Sequence, residues 1–244
     1  MRQSINPVLA AAPMRSARGT RAAAAPAARA ARGARLPALA WLLSAVGLSA
    51  AGAVRAEDAG AGPPPETGVE ATAYYYALRD QTDFASGVVS YERGSLHLEG
   101  RYNYEDRNSG SAFVGWKFGG GDELSFEATP IVGLLFGAVR GLVPGLEGSV
   151  AYGAFDASVE AEYVHDLGQH GASYFYTWDE LGWSPKAWLR LGIAGQRTRT
   201  VESTRSLERG LFAELSAGKA HFSVYVFNPD LSSRYVVASA GVSF

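Results

Sequence analysis

Residues 95–106 read SLHLEGRYNYED, and this stretch decides the fold because polar and apolar side chains alternate along it. One face carries Ser95, His97, Glu99, Arg101, Asn103 and Glu105, and the other carries Leu96, Leu98, Gly100, Tyr102 and Tyr104. A period of two belongs to a β-strand, whose successive side chains point to opposite faces, whereas a helix repeats every 3.6 residues. The stretch therefore predicts a strand with one polar and one apolar face.

The same alternation recurs along most of the chain after residue 68. Residues 157–163 and 187–198 repeat this alternation. The polar face of an ordinary soluble sheet, in contrast, would be solvated and rich in lysine. Only Lys117, Lys186 and Lys219 are present. We predict twelve strands, near residues 69–78, 84–92, 95–106, 111–118, 123–139, 146–155, 157–166, 173–183, 186–198, 209–218, 220–228 and 234–244.

The connections between these strands alternate in length. The connections after even-numbered strands are short, at residues 93–94, 119–122, 156, 184–185 and 219. Those after odd-numbered strands are longer, at residues 79–83, 107–110, 140–145, 167–172, 199–208 and 228–233. Short periplasmic turns and longer extracellular loops are typical of outer-membrane barrels. The sequence thus predicts an all-β, transmembrane, antiparallel up-and-down β-barrel over residues 69–244.

A lipid environment explains the apolar faces of these strands. Together they exceed the few hundred Å² of apolar patch that a soluble protein tolerates, and a closed barrel satisfies every backbone hydrogen bond within the hydrocarbon. Aromatic side chains are enriched where a barrel meets the lipid headgroups. We expect this interfacial role for Tyr91, Tyr104, Trp116, Tyr163 and Trp178.

The first 68 residues have a different composition and are set apart from the fold. Residues 1–56 contain eight arginines and no acidic residue, with a short apolar core at 36–48 (LPALAWLLSAVGL). This layout predicts a signal peptide with an N-terminal extension. Residues 57–68 (EDAGAGPPPETG) have no periodicity and three consecutive prolines, which predicts a disordered periplasmic leader.

Removal of residues 1–56 makes the protein acidic. The remaining chain has 14 basic against 24 acidic residues, a formal charge of −10. This charge opposes binding to nucleic acid. Cysteine is absent, which excludes disulfides and thiolate chemistry.

The last strand carries a family resemblance. Residues 234–244 (RYVVASAGVSF) resemble the C-terminal insertion signal of bacterial outer-membrane proteins. In this comparison the signal comprises Tyr235 and the terminal Phe244, with Val242, Ala240, Ala238 and Val236 preceding Phe244 at two-residue steps. The resemblance implies location in the cell outer membrane, contact with its lipid and recognition by the barrel-assembly machinery.

The phase of each strand predicts which charges point into the barrel. The expected inward acidic residues are Glu70, Glu92, Glu99, Glu105, Glu123, Glu127, Glu147, Glu160, Glu162 and Glu214. The expected inward basic residues are Arg101, Lys117 and Arg190. Twelve strands lie between the eight that side chains fill and the sixteen that leave an open channel. The lumen should therefore be narrow and acidic.

Two functions suit such a lumen. The first is a narrow passive channel for small solutes, and the alternative is a closed structural barrel plugged by a Glu/Arg network. In size the chain resembles narrow twelve-stranded uptake channels for acidic oligosaccharides, but those have a basic lumen. The opposite sign here argues against an acidic sugar. The loops are short for a third class, an adhesive or receptor barrel.

A less favoured hypothesis is lipid hydrolysis. His221 and Ser223 resemble the His-x-Ser dyad of outer-membrane phospholipase and lipid A deacylase barrels, in which His is the base for a Ser nucleophile. The pair would point inward beside the short turn at Lys219, away from the lipid. We therefore predict that the protein is not an enzyme.

No metal site and no cofactor are predicted from the sequence. We interpret His97 as a member of the lumen network. His165 and His170 lie in or beside a loop that also contains Gly168 and Gly171, which is too loose for a convincing metal site.

Overall fold

The computed structural model describes residues 67–79, 81–168, 173–200 and 206–244, which form an antiparallel β-sheet. Within these ranges no helix is long and apolar enough to cross a membrane. The predicted signal peptide lies outside the described residues. The first strand begins at Thr67, two residues before the predicted start of the barrel.

The sheet has thirteen strands, eight of which contain ten or more residues. In chain order they are β1 (Thr67–Leu78), β2 (Phe84–Arg93), β3 (Leu96–Tyr102), β4 (Ser109–Trp116), β5 (Phe118–Gly120), β6 (Leu124–Gly137), β7 (Gly141–Tyr152), β8 (Phe155–Asp166), β9 (Tyr174–Lys186), β10 (Leu189–Thr200), β11 (Ser206–Ala217), β12 (Ala220–Phe227) and β13 (Tyr235–Ser243). Strands that are consecutive in sequence pair with each other, except for β4 and β5, which both pair with β6; this is the up-and-down order.

The sheet closes on itself between β1 and β13, and β4 and β5 act as one barrel strand. Both pair with β6 in a single continuous register, from Gly115 opposite Ile131 to Phe118 opposite Ala128. The pairing with β6 is interrupted at Trp116 and Lys117, next to Pro130, which has no N–H to donate. Counted this way the barrel has twelve strands, which confirms the predicted all-β barrel and its strand number.

The two faces of the wall differ in chemistry. Aliphatic side chains such as Val89, Leu134 and Leu211 are exposed on the outside. Exposed aromatic side chains lie toward the long-loop ends at Tyr75, Tyr102, Phe136, Tyr163 and Phe175, and toward the short-turn ends at Trp116, Phe126, Tyr152, Phe155, Trp183 and Phe222. An apolar band between two aromatic girdles is the outer surface of a transmembrane barrel.

The connections keep the predicted asymmetry, with several corrected boundaries. β7 begins at Gly141, so residues 141–145 belong to a strand and the preceding loop is shorter than predicted. Pro144 lies within this strand, opposite Val132 in the β6–β7 pair. The prediction of a turn at Asp156 was wrong, because Gly153, with φ of 57°, makes the turn and Asp156 lies on β8. Likewise, the turn predicted at residues 184–185 lies after Lys186.

Two of the predicted interface aromatics point the other way. Tyr104 and Trp178 are 1% and 2% exposed and lie inside the barrel, whereas Trp116 and Tyr163 are exposed on its outer face. β3 ends at Tyr102, and Asn103, with φ of 53°, breaks the alternation that would have turned Tyr104 outward. The interfacial role predicted for Tyr104 and Trp178 is therefore wrong.

Candidate functional site

The candidate site is the barrel lumen, where the charged side chains form two main groups. Glu99, Arg101, Glu105, Glu147, Glu160 and Glu162 form the Arg101 cluster. Asp156, Glu180 and Arg190 form the Arg190 cluster. The sequence-based site residues Glu99, Arg101, Glu160 and Glu162 thus lie together, and Arg190 lies apart from them.

The Arg101 guanidinium is the centre of its cluster. Its Nη1 donates to Glu162 at 2.7 Å, to Glu160 at 3.2 Å and to Glu105 at 3.3 Å. Nε donates to Glu99 Oε1, and Nη2 lies 3.8 Å from Glu147 Oε1. One guanidinium therefore faces five carboxylates.

The strands that supply these residues are not neighbours in the wall. Arg101 is on β3, whereas Glu160 and Glu162 are on β8, four strands away around the wall. Gly145 on β7 leaves room for the side chain of Glu162, because a Cβ at this glycine would lie 3.0 Å from Glu162 Cγ. The Arg101 cluster thus crosses the lumen and joins two walls.

Neutral side chains complete the packing around this cluster. The Tyr104 hydroxyl donates to Glu160 Oε2 at 2.7 Å, and the Ser111 hydroxyl donates to Glu105 Oε1 at 2.7 Å. The rings of Tyr104 and Phe113 lie on the guanidinium at 4.4 and 4.2 Å from its carbon atom. Such contacts hold a buried cation in one orientation.

The Arg101 cluster has an excess of negative charge. Its six ionisable side chains are all buried, and only one of them is a cation. Buried charges are stable when they are paired, and each carboxylate without a counter-charge is costly. Protons or bound cations must balance this surplus.

The Arg190 cluster is smaller and closer to charge balance. Arg190 Nη1 donates to Glu180 at 2.5 Å, and its Nε and Nη2 donate to Asp156 Oδ2 at 3.0 and 2.6 Å. Trp178 Nε1 and the Tyr225 hydroxyl donate to Glu180 Oε1 at 3.2 and 2.8 Å. The three charged residues lie on the neighbouring strands β8, β9 and β10, so this cluster links one side of the wall.

Sequence reasoning missed both carboxylates of the Arg190 cluster. Asp156 was assigned to a turn, and Glu180 was left out of the inward set. A signal for Glu180 was available, because Tyr174, Tyr176 and Trp178 precede it at steps of two and share its face. Because Trp178 was assigned to the lipid interface, the face of this strand that points into the lumen was not recognised.

The remaining predicted lumen residues lie in smaller groups. Glu127 Oε2 is 3.9 Å from Lys117, which also contacts Glu92. The Ser223 hydroxyl donates to Glu214 Oε2 at 3.3 Å. Glu123, in contrast, is exposed in the turn between β5 and β6.

His221 and Ser223 are both buried on the inward face of β12. His221 Nε2 lies 3.4 Å from the Thr72 hydroxyl and 3.9 Å from Glu70 Oε1. Lipid outside the barrel is separated from these side chains by the wall itself. The absence of enzymatic activity stays a prediction.

The two residues assigned to the insertion signal face opposite ways. Phe244 is exposed on the outer face, and its N–H donates to the carbonyl of Val69 at 2.8 Å. Tyr235 is buried inside, where its hydroxyl donates to Gln196 at 2.9 Å and its ring stacks on Phe227. Only Phe244 can contact lipid.

Aromatic side chains fill the lumen beside the charged clusters. Trp178 packs edge-on against Tyr225 and Phe227, with ring centroids 5.5 and 5.1 Å apart. Phe212 packs against Tyr225 on one side, and Arg190 lies over its ring. In the part of the chain that the structure describes, both the charged and the aromatic inward side chains are largely shielded from water.

No known protein family matches the sequence, and no curated protein is detectably similar to it. Among solved structures, the chain is similar to the KdgM porin, with 11% identity and a TM-score of 0.51 over 71% of this chain and 98% of that one. It is also similar to the KdgM porin in complex with disordered oligogalacturonate, with 11% identity, a TM-score of 0.52 and the same coverage.

At this level of identity the likeness concerns the fold alone. The fold is that of a porin-type β-barrel, which agrees with the apolar band, the aromatic girdles and the predicted location in the outer membrane. Solute specificity depends on the side chains of the lumen and not on the fold.

Proposed function

We propose that the protein is a narrow outer-membrane channel for small cations and neutral solutes, closed in the described conformation by the Arg101 cluster. The observation that carries this proposal is the surplus of carboxylates that spans the lumen. A purely structural plug has no need for five carboxylates around one guanidinium, since the surplus weakens it. A path for cations uses the same surplus to attract them.

The choice of solute follows from the sign of the lumen. One of the similar structures holds oligogalacturonate, an acidic sugar polymer. The buried carboxylates of the Arg101 cluster would repel a polyanion at close range. We therefore infer that small cations and neutral solutes are favoured over acidic sugars.

A second candidate function is a permanently closed structural barrel. It is favoured by the burial of the inward side chains, since Glu162, Gln196 and Glu214 are each only 1% exposed. In that case the Arg101 cluster joins β3 to β8 and does not open. Conduction separates the two candidates directly.

The experiment is single-channel recording of refolded residues 57–244 in a planar bilayer. The channel proposal predicts small openings in which cations carry most of the current. Replacement of Glu160 and Glu162 by Gln together should lower the cation selectivity, because it removes two of the five carboxylates. Replacement of Glu123, exposed in a turn, by Gln is the control and should leave selectivity nearly unchanged.

If neither the wild-type barrel nor the Arg101→Gln variant conducts ions, the permanently closed structural barrel is favoured. Openings that appear only in Arg101→Gln would assign the closure to the guanidinium. An anion-selective current would contradict the proposed channel, because the excess carboxylates could not then line the path.

A further inference from the structure

Three ligand atoms converge at one edge of the Arg101 cluster. His97, Glu99 and Glu147 each offer one such atom, and these atoms lie within 4.8 Å of one another. His97 Nε2 is 3.7 Å from Glu99 Oε2 and 4.0 Å from Glu147 Oε1. The three residues are 4–5% exposed. The site is therefore compact and buried.

None of these three atoms has a hydrogen-bond partner among the residues that the structure describes. The Arg101 guanidinium uses Glu99 Oε1 and leaves Oε2 on the side of His97. It approaches Glu147 Oε1 only to 3.8 Å. Buried polar atoms without partners are costly, and three that point at one place would be satisfied together by one bound ion.

We propose that His97, Glu99 and Glu147 bind a divalent transition-metal ion of the Zn²⁺ type. Imidazole nitrogens and carboxylate oxygens are both ligands of Zn²⁺, and a site with three protein ligands holds water or substrate at the fourth position. Ligands at roughly 2.0–2.2 Å in a tetrahedron are roughly 3.3–3.6 Å apart, so side-chain shifts of at most about 1 Å complete the site. Mg²⁺ and Ca²⁺ prefer oxygen ligands alone.

A second carboxylate supports His97 from behind. Glu92 Oε1 lies 3.6 Å from His97 Nδ1, on the side where carboxylates orient metal-bound imidazoles. The side chain of Glu92 is 15% exposed, so the site is one side chain away from solvent and an ion can enter. The charge also fits, because a divalent cation offsets two of the surplus carboxylates.

The site does not depend on conduction. A closed barrel and a channel could both hold the ion, so metal binding is tested separately from ion flow. Sequence analysis predicted no metal site, because Glu147 is far from His97 and Glu99 in the chain. The curvature of the closed sheet brings the inward side chain of Glu147 on β7 to within 4.0 Å of His97 on β3.

The test uses refolded residues 57–244 stripped with a chelator, incubated with ZnCl₂, desalted and analysed for metal. We expect one zinc ion per chain, and Co²⁺ in its place should give the visible absorption of a four-coordinate site. His97→Gln and Glu147→Gln should each abolish stoichiometric retention. His221→Gln is the matched control, since His221 is equally buried and also lies beside a carboxylate.

Supporting carboxylates have a smaller effect than ligands, so Glu92→Gln should weaken zinc affinity by about 10–100-fold. Heat-modifiable migration on gels verifies that each variant is folded. If both ligand variants fail to fold, the Co²⁺ spectrum of the wild-type barrel decides. Substoichiometric zinc in the wild type, an octahedral Co²⁺ spectrum, or retention by folded His97→Gln equal to that of His221→Gln would overturn the proposal.

Discussion

The Arg101 and Arg190 clusters use the same chemistry inside one barrel and differ in charge balance. Arg190 meets two carboxylates, and one of them, Glu180, also accepts hydrogen bonds from Trp178 and Tyr225. Arg101 meets five carboxylates. With all groups ionised, the Arg190 cluster has one carboxylate more than it has cations, whereas the Arg101 cluster has four more.

The clusters also differ in what they connect. The Arg190 cluster joins three strands that are already hydrogen-bonded to one another, so it adds to an existing wall. The Arg101 cluster joins β3 to β7 and β8 across the lumen. The smaller surplus of carboxylates thus occurs where the role is local packing, and the larger surplus occurs where the lumen is closed. We infer that only the Arg101 cluster can control passage through the barrel.

The largest expected effect is the loss of the central guanidinium. Arg101→Met should lower the free energy of unfolding by about 3–5 kcal/mol, because it leaves buried carboxylates without their cation. Arg190→Met should cost less, about 1–3 kcal/mol, because Glu180 keeps its two neutral donors. Urea unfolding in lipid vesicles, followed by tryptophan fluorescence, measures both.

A repair variant tests the cause of this difference. Addition of Glu162→Gln to Arg101→Met should recover part of the lost stability, since it removes one unpaired carboxylate. Equal losses for the two arginine variants, or no recovery in the double variant, would contradict the link between carboxylate number and stability.

Much of the fold could be predicted from period-two alternation, because each strand has one lipid face and one lumen face. Apart from Glu105, which follows the end of β3, the residues of the Arg101 cluster lie in strands with clear alternation, as in residues 95–102, and their inward phase could be assigned locally. The exceptions are local breaks in phase. Asn103, with its positive φ, turned Tyr104 inward, and a missed turn at Gly153 misplaced Asp156.

Which charges meet could not be predicted in this way. Strand phase assigns a side chain to the lumen but does not give its height or its partner across the barrel. Arg101 and Glu162 are 61 residues apart in the chain, and their contact depends on the register of every strand between them. The convergence of Glu147 on His97 and Glu99 has the same origin.

A smaller effect is expected at the glycines that make room for each cluster. A Cβ at Gly182 would overlap the Arg190 guanidinium, with Nε at 2.4 Å, whereas one at Gly145 would lie 3.0 Å from Glu162 Cγ, Ile131 Cγ1 and the carbonyl oxygen of Ala161. Gly182→Ala should therefore destabilise the barrel by about 1–3 kcal/mol, with Gly145→Ala at or below the lower end of that range. The same unfolding assay measures both variants.

Gly195→Ala is the control for this pair of variants, because its Cβ would make only an ordinary contact, 3.9 Å from Asp179. It should leave the free energy of unfolding unchanged or raise it slightly, because alanine reduces the conformational entropy of the unfolded chain. A greater loss for Gly145→Ala than for Gly182→Ala would show that the Arg101 cluster is the less adaptable of the two.

The smallest effect is expected for an ion pair outside the lumen. Arg209 Nη2 lies 2.5 Å from Asp230 Oδ2, a distance as short as that from Arg190 to Glu180. The side chains of Arg209 and Asp230, however, are 69% and 55% exposed. Water and salt screen such a pair, so Arg209→Ala should change the free energy of unfolding by less than about 1 kcal/mol. The change should shrink further in high salt, while the effect of Arg101→Met persists, because buried charges are screened much less. A loss at Arg209 comparable to that at Arg190 would mean that distance, and not burial, sets the strength of these pairs, and the contrast between the two lumen clusters would then need another cause.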